Sequence, residues 1–237
     1  PRETDPIPPE LAILGPGSLP ALVPETRPGN PNLIKRKSIT VGRFAISKYE
    51  ISMGEFKQYA DATNLTGDKP WDGVPDFAEY SMVPANQVSR YEAERYCAWR
   101  YRSNNPDKRS GRLPSSSEWE FAARSGRKEH RYPWPGSMEA HRINWHRAEN
   151  EAHALVDVHS LPAGQSAQGV FHLIGNVAEW TRDGYRDIRT GEDLGLTCGG
   201  SALSSKLTEL SATCQVYRPA REKHRDVGFR CVVDINQ

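Results

Sequence analysis

Gly169-Val170-Phe171-His172-Leu173-Ile174-Gly175-Asn176-Val177-Ala178-Glu179-Trp180-Thr181-Arg182-Asp183 is the stretch around which the rest of this chain must fold. Apolar residues flank a Gly-Asn pair, which favours a tight turn because Gly carries no Cβ penalty and Asn tolerates left-handed backbone. Glu179 follows closely enough for its carboxylate to fold back towards carbonyls freed by the turn. Carbonyls and a carboxylate are hard oxygen ligands and suit calcium. The plainer alternative is a turn before a strand, with Trp180 in the core and Glu179 paired to a surface arginine; on these residues alone it is favoured.

Working outward, three serines open helices. Ser52 with Glu55 forms a capping box, so Phe56, Tyr59 and Ala60 fall on one helix face. Ser89 with Glu92 starts a helix from Tyr91 to about Arg102, in which Cys97 faces inward beside Ala93 and Tyr96. Asn104-Asn105-Pro106-Asp107 ends it. Ser115 caps a third helix that buries Trp119, Ala122 and Ala123. Upstream, Ile39 to Ile46 alternates imperfectly and predicts one half-buried strand. Residues 1–32 read as a Pro/Gly-rich extension or linker with one short strand at Leu11-Ala12-Ile13-Leu14, and residues 33–237 as the domain proper. Trp71, in a Pro/Gly loop, is expected to plug the core.

The 237 residues, 37% hydrophobic and with a formal net charge of +1, can bury one sizeable core and give no electrostatic case for nucleic acid. No apolar run is long enough to span a bilayer and no signal sequence opens the chain. The start at Pro1 reads as a trimmed chain or mature product. Eighteen prolines and nineteen glycines predict an α+β, loop-rich single domain with little regular secondary structure.

The four cysteines, Cys97, Cys198, Cys214 and Cys231, include no CxxC pair and have no histidines at zinc-ligand intervals. Two disulfides in an oxidising compartment suit the even count; four buried thiols are the alternative. No histidine pair has the i, i+4 spacing of a zincin, and neither a base-activated nucleophile nor a Gly-rich phosphate loop is evident.

Six segments in order carry a resemblance. They are Phe44 to Ser52, Arg112 to Arg124 with its Arg-Leu-Pro-Ser start, Tyr132-Pro133-Trp134, Gly175 to Trp180, Gly199-Gly200-Ser201 and Gly228-Phe229-Arg230-Cys231. Together they resemble the formylglycine-generating enzyme, or sulfatase-modifying-factor, family, whose fold is related to the C-type lectins. The resemblance implies a Cys97–Cys231 disulfide, leaving Cys198 and Cys214 as a second bridge. It implies one calcium at Asn144 and the Trp145 carbonyl, with Glu149 or Glu151 as the acid. It implies a second at positions matching His172, Gly175, Val177 and Glu179, weakened because imidazole is a poor calcium ligand.

The family's oxidase holds copper(I) between two thiolates, soft ligands for a soft ion. The matching positions here are Ser204 and Glu209, and Ala178 stands where a tryptophan is usual, so no copper is expected. The inferred cleft comprises Trp134, Asn144, Trp145, Ser201, Ser204, Glu209, Arg218 and Arg221, a mixture that suits a peptide, a glycan or a small polar ligand. The expected protein is a noncatalytic binding or sensory domain, periplasmic or extracellular and part of a larger protein. An enzyme of another chemistry, such as siderophore maturation, is the alternative; a true formylglycine generator ranks last.

Overall fold

The computed structural model describes residues 7–27, 30–74, 76–102, 111–145 and 155–235. Its helices are α1 (Met53–Thr63), the single turn α2 (Phe77–Tyr80), α3 (Arg90–Arg100) and α4 (Ser116–Ala123). The hydroxyls of Ser52, Ser89 and Ser115 accept from the amides of Glu55, Glu92 and Glu118, whose carboxylates accept in turn from the serine amides. Each serine cap contributes about 1 kcal/mol to its helix start. Buried faces follow the predicted spacing: Met53, Phe56, Tyr59 and Ala60 in α1, and Ala93, Tyr96 and Cys97 in α3.

The first sheet runs β1 (Leu11–Leu14), β4 (Phe44–Ser47), β10 (Val232–Asp234), β5 (Gly111–Arg112), with every pair antiparallel. The second runs β8 (Gln215–Pro219), β7 (Asp193–Cys198), β6 (Ala178–Arg186), β9 (Val227–Gly228), with β6 and β9 parallel. A separate hairpin pairs β2 (Gly17–Arg27) with β3 (Asn30–Val41). One apolar cluster packs Phe44, Ile46, Trp119 and Leu173 between α4 and the first sheet. A second packs Phe56, Tyr96, Trp180 and Phe229 beneath α1 and α3, with Trp71 half-buried against it.

Three expectations change. The strand expected over residues 39–46 is two strands, because Val41 pairs with Gly17 in the hairpin whereas Phe44 pairs with Leu14 in the first sheet. The predicted strand at Leu11–Leu14 exists, but it is built into the sheet, and a boundary after residue 32 would cut β3. The Pro-rich stretch tolerates pairing because a two-stranded ribbon has an open edge towards which a proline, lacking N–H, can face. Finally, Cys97 and Cys231 are bridged, with Cα atoms 5.5 Å apart, whereas Cys198 and Cys214 are free thiols. Register explains it: Cys198 lies opposite Gln215, so Cys214, one residue earlier, is out of phase in a strand of period two.

Candidate functional site

The Gly-Asn turn is as tight as its residues imply. Gly175 and Asn176 have φ of 79° and 53°, and a Cβ on Gly175 would stand 2.6 Å from the Asn144 carbonyl oxygen. Asn176 is wholly buried. Its Nδ2 donates to Glu50 Oε2 at 2.7 Å, and its Oδ1 accepts from Asn144 Nδ2 at 2.9 Å and from the Val156 amide at 3.1 Å. Its carbonyl accepts from the Ala202 amide at 2.9 Å, which ties the turn to the Gly-Gly-Ser loop.

Glu179 and Arg230 are both fully buried. Arg230 Nη2 donates to Glu179 Oε1 at 2.6 Å and Nε donates to Oε2 at 2.6 Å, while Trp119 Nε1 adds a bond to Oε2 at 2.7 Å. The guanidinium also donates to the carbonyls of Ser47, Lys48 and Phe171. The plainer reading of Glu179 is therefore the observed one, except that its arginine comes from the core rather than the surface. His172 is 6% exposed, and burial, then the Arg230 charge, push its imidazole down to about 4. The set His172, Gly175, Val177 and Glu179 does not fit calcium, because a guanidinium already neutralises the carboxylate and a neutral imidazole replaces an oxygen ligand. Asn144, 6% exposed, and Trp145 are placed beside the turn; Glu149 and Glu151 lie outside the described residues.

Around Ser201 the chain folds on itself. Gly199 and Gly200 have φ of 93° and 68°, and a Cβ at Gly200 would collide with the Glu209 carbonyl, so the Gly-Gly pair is a steric requirement. The Ser201 amide donates to Ser204 Oγ at 3.0 Å, and the Ser205 amide donates to Glu209 Oε2 at 3.0 Å. Trp145 Nε1 donates to the Ser204 carbonyl at 2.7 Å. Ser201 Oγ donates to Asp226 Oδ2 at 3.4 Å, and Arg218 clamps Asp226 with Nη2 at 2.8 Å and Nη1 at 3.3 Å. Arg218 Nε is buried and has no acceptor among the described residues. Burial, then Arg218, also lowers the imidazole of His224.

Of the expected cleft, Trp145, Ser201, Ser204, Glu209 and Arg218 come together, with Asn144 behind them. Trp134 lies beneath them in the core: it is 4% exposed, packs with Tyr132, Ile143, Ile174 and Leu210 in a cluster that Trp145 also packs against, and donates to the Ser137 carbonyl at 3.0 Å. Arg221 is apart, its guanidinium 5.2 Å from the Tyr91 ring centroid beyond the far end of β8. Asp226 and His224 belong to the site and were missed; the signal available was a carboxylate two residues before Gly228-Phe229-Arg230. Cys214 borders the site, its thiol pushed up to about 11 by burial and then by Glu209.

A loop-rich α+β domain in which a Gly-Asn turn is laced to a Gly-Gly-Ser loop defines a formylglycine-generating-type scaffold. The model of the sulfatase-modifying factor enzyme 1-like domain matches residues 13–235, and the chain belongs to that family. It is 33% identical over 174 residues to the inactive C-alpha-formylglycine-generating enzyme 2 of Mus musculus and 32% identical over 174 residues to that of Bos taurus. Each match covers 68% of this chain. The chain spans about half the length of these relatives, 52% and 53%. In structure it is similar to PvdO from Pseudomonas aeruginosa, with a TM-score of 0.70 over 95% of this chain and 94% of that one; at 22% identity this likeness shows the fold.

Proposed function

We propose that this chain is a noncatalytic ligand-binding or sensory domain that receives a peptide, glycan or small polar ligand at the Ser201–Ser204 turn. The observation that carries the reading is Arg218 Nε, a buried donor with no acceptor among the described residues. Leaving such a donor unmade costs about 1–3 kcal/mol, which an acceptor on a ligand would recover. The half-buried Ser204 hydroxyl and Glu209 carboxylate supply further polar contacts, and the half-buried Trp145 ring an apolar one. Ser201 is 2% exposed and hydrogen-bonded to Asp226, an arrangement that positions a loop and leaves no nucleophile open to substrate. The relatives named as inactive support the same reading.

The test is a screen of immobilised glycans and peptides, with hits repeated on Arg218→Met. A ligand whose affinity falls about tenfold in the variant, at unchanged melting temperature, is expected. Binding indifferent to that substitution would contradict the proposal.

The Cys97–Cys231 bridge supports a periplasmic or extracellular location, since such bonds persist in oxidising compartments. Among the described residues no helix is long and apolar enough to cross a membrane. Calcium is proposed at one place, Asn144 and the Trp145 carbonyl with Glu149 or Glu151. If it is held there at about a hundredfold over its dissociation constant, a chelator should lower the melting temperature by about 5 °C or more. An unchanged melting curve would remove calcium from this account.

A further inference from the structure

We infer that the outer edge of β3 is a docking edge, apart from the Ser201 turn, and that it takes an extended acidic peptide segment of a partner protein as a third strand of the β2–β3 ribbon. The ribbon has two strands, and among the described residues no third strand lies beside it. Each of its edges matters, because a strand edge carries backbone donors and acceptors that pair readily with another chain.

The two edges differ. In an antiparallel pair, opposite residues alternate between exchanging both backbone bonds and turning both groups outward. Proline has no N–H to exchange, so the pairs Pro20 with Ser38 and Pro24 with Ile34 belong to the outward class. Leu22 with Arg36 and Ser18 with Thr40 share that parity, since the register is unbroken from Gly17 to Glu25. The Pro20 carbonyl agrees, turning away from β3 to accept from Arg124 Nη1 at 2.5 Å. The β2 edge is thus closed twice: Pro20 and Pro24 offer no donor, and the capping residue of α4 takes a carbonyl. On the β3 edge, Ile34, Arg36, Ser38 and Thr40 each turn an N–H and a C=O outward, a run free of proline, and Ser38 and Thr40 are exposed.

Charge selects the occupant. Between Gly17 and Val41 the sequence sets Arg27, Lys35, Arg36 and Lys37 against Glu25, a formal charge of +3 on a chain whose total is +1. Two copies joining β3 to β3 about Arg36 would place Arg36 opposite Arg36 and Lys35 opposite Lys37. Like charges directly opposite destabilise a strand pair, and lysine on an edge guards native sheets against self-pairing. A segment with glutamate or aspartate at alternate positions meets the same backbone ladder with opposite charge, and addition to an exposed edge is a common way for a sheet to hold a peptide. A two-stranded ribbon is marginal in water, so a third strand also stabilises it.

The probe is an octapeptide alternating glutamate and valine, added to the full chain and followed by amide hydrogen exchange. Exchange at Arg36 and Ser38 should slow about tenfold or more, while at Lys35 and Lys37, whose amides face β2, it should not change. The same octapeptide methylated at every backbone nitrogen keeps its charge but cannot form a ladder, and should protect nothing. An octapeptide alternating lysine and valine should protect nothing either. No protection by the acidic peptide, protection that ignores the alternation, or equal protection by either control overturns the inference. Ser38→Pro removes one outward N–H, as Pro20 does on β2, and should weaken binding about tenfold; undiminished binding overturns it equally. Should Ser38→Pro lower the melting temperature, the methylated octapeptide puts the same question to the unaltered chain. Arg218→Met should leave this binding unchanged, so failure here is distinguishable from failure at the Ser201 turn.

Discussion

Arg230→Met is expected to destabilise the domain by about 3–5 kcal/mol, read as a fall in the denaturant midpoint at constant slope. The magnitude comes from what remains, because Glu179 is fully buried and loses the guanidinium that neutralises both its oxygens, keeping the Trp119 indole as its donor among the described residues. The carbonyls of Ser47, Lys48 and Phe171 lose donors in the same step. A double replacement, Arg230→Met with Glu179→Leu, should cost less than the sum of the single changes, since no charge is then stranded. Additive losses, or an Arg230→Met cost under about 1 kcal/mol, would mean that the pair does not organise the core as described.

Acid sensitivity is the second large effect, and its sign follows from His172. The ordinary imidazole value is 6.5 and the folded one about 4, so below pH 6.5 the unfolded chain binds a proton that the folded chain refuses. The contribution of His172 is intact above pH 6.5, declines as pH falls, and levels off below pH 4, a loss of about 3 kcal/mol. Glu50 opposes it: its raised folded value favours the native state below the ordinary carboxylate range and withdraws that support as pH rises. His172→Asn separates the two, because asparagine tolerates the φ of 50° at this position. The variant should lose that part of the acid slope in denaturant titrations from pH 7 to 4. An unchanged slope would show that the imidazole does not titrate as its burial implies.

Much of the fold was legible because local chemistry and tertiary packing agree. Three Ser-x-x-Glu boxes mark helix starts, and each is observed; Trp119 and Trp180 were placed in the core, and both are fully buried. The hairpin was not legible, because prolines in an extended ribbon resemble a linker until the partner strand is known. Nor was the fate of Cys198 and Cys214, which depends on a one-residue register that composition does not record. At the site, Ser204 and Glu209 could be located by counting from Ser201 of the Gly-Gly-Ser motif, and Arg218 from the Tyr217-Arg218-Pro219-Ala220-Arg221 segment after Cys214. Trp134 and Arg221 could not be separated from them, because aromatic and cationic side chains serve equally in a core and against another ring. Asp226 escaped notice because a lone carboxylate before a strand has no signature until Arg218 is seen to clamp it.

This domain keeps the architecture of its family, and counting from the Gly-Gly-Ser motif assigns Ser204 and Glu209 to the positions of the copper thiolates, an assignment that remains a proposal. Copper(I) titration of the reduced protein, followed by incubation with a cysteine-containing sulfatase peptide and oxygen, tests it most directly. The expected result is no stoichiometric copper uptake at the Ser204 and Glu209 positions and no aldehyde in the peptide. One copper per chain together with formylglycine in the product would contradict it.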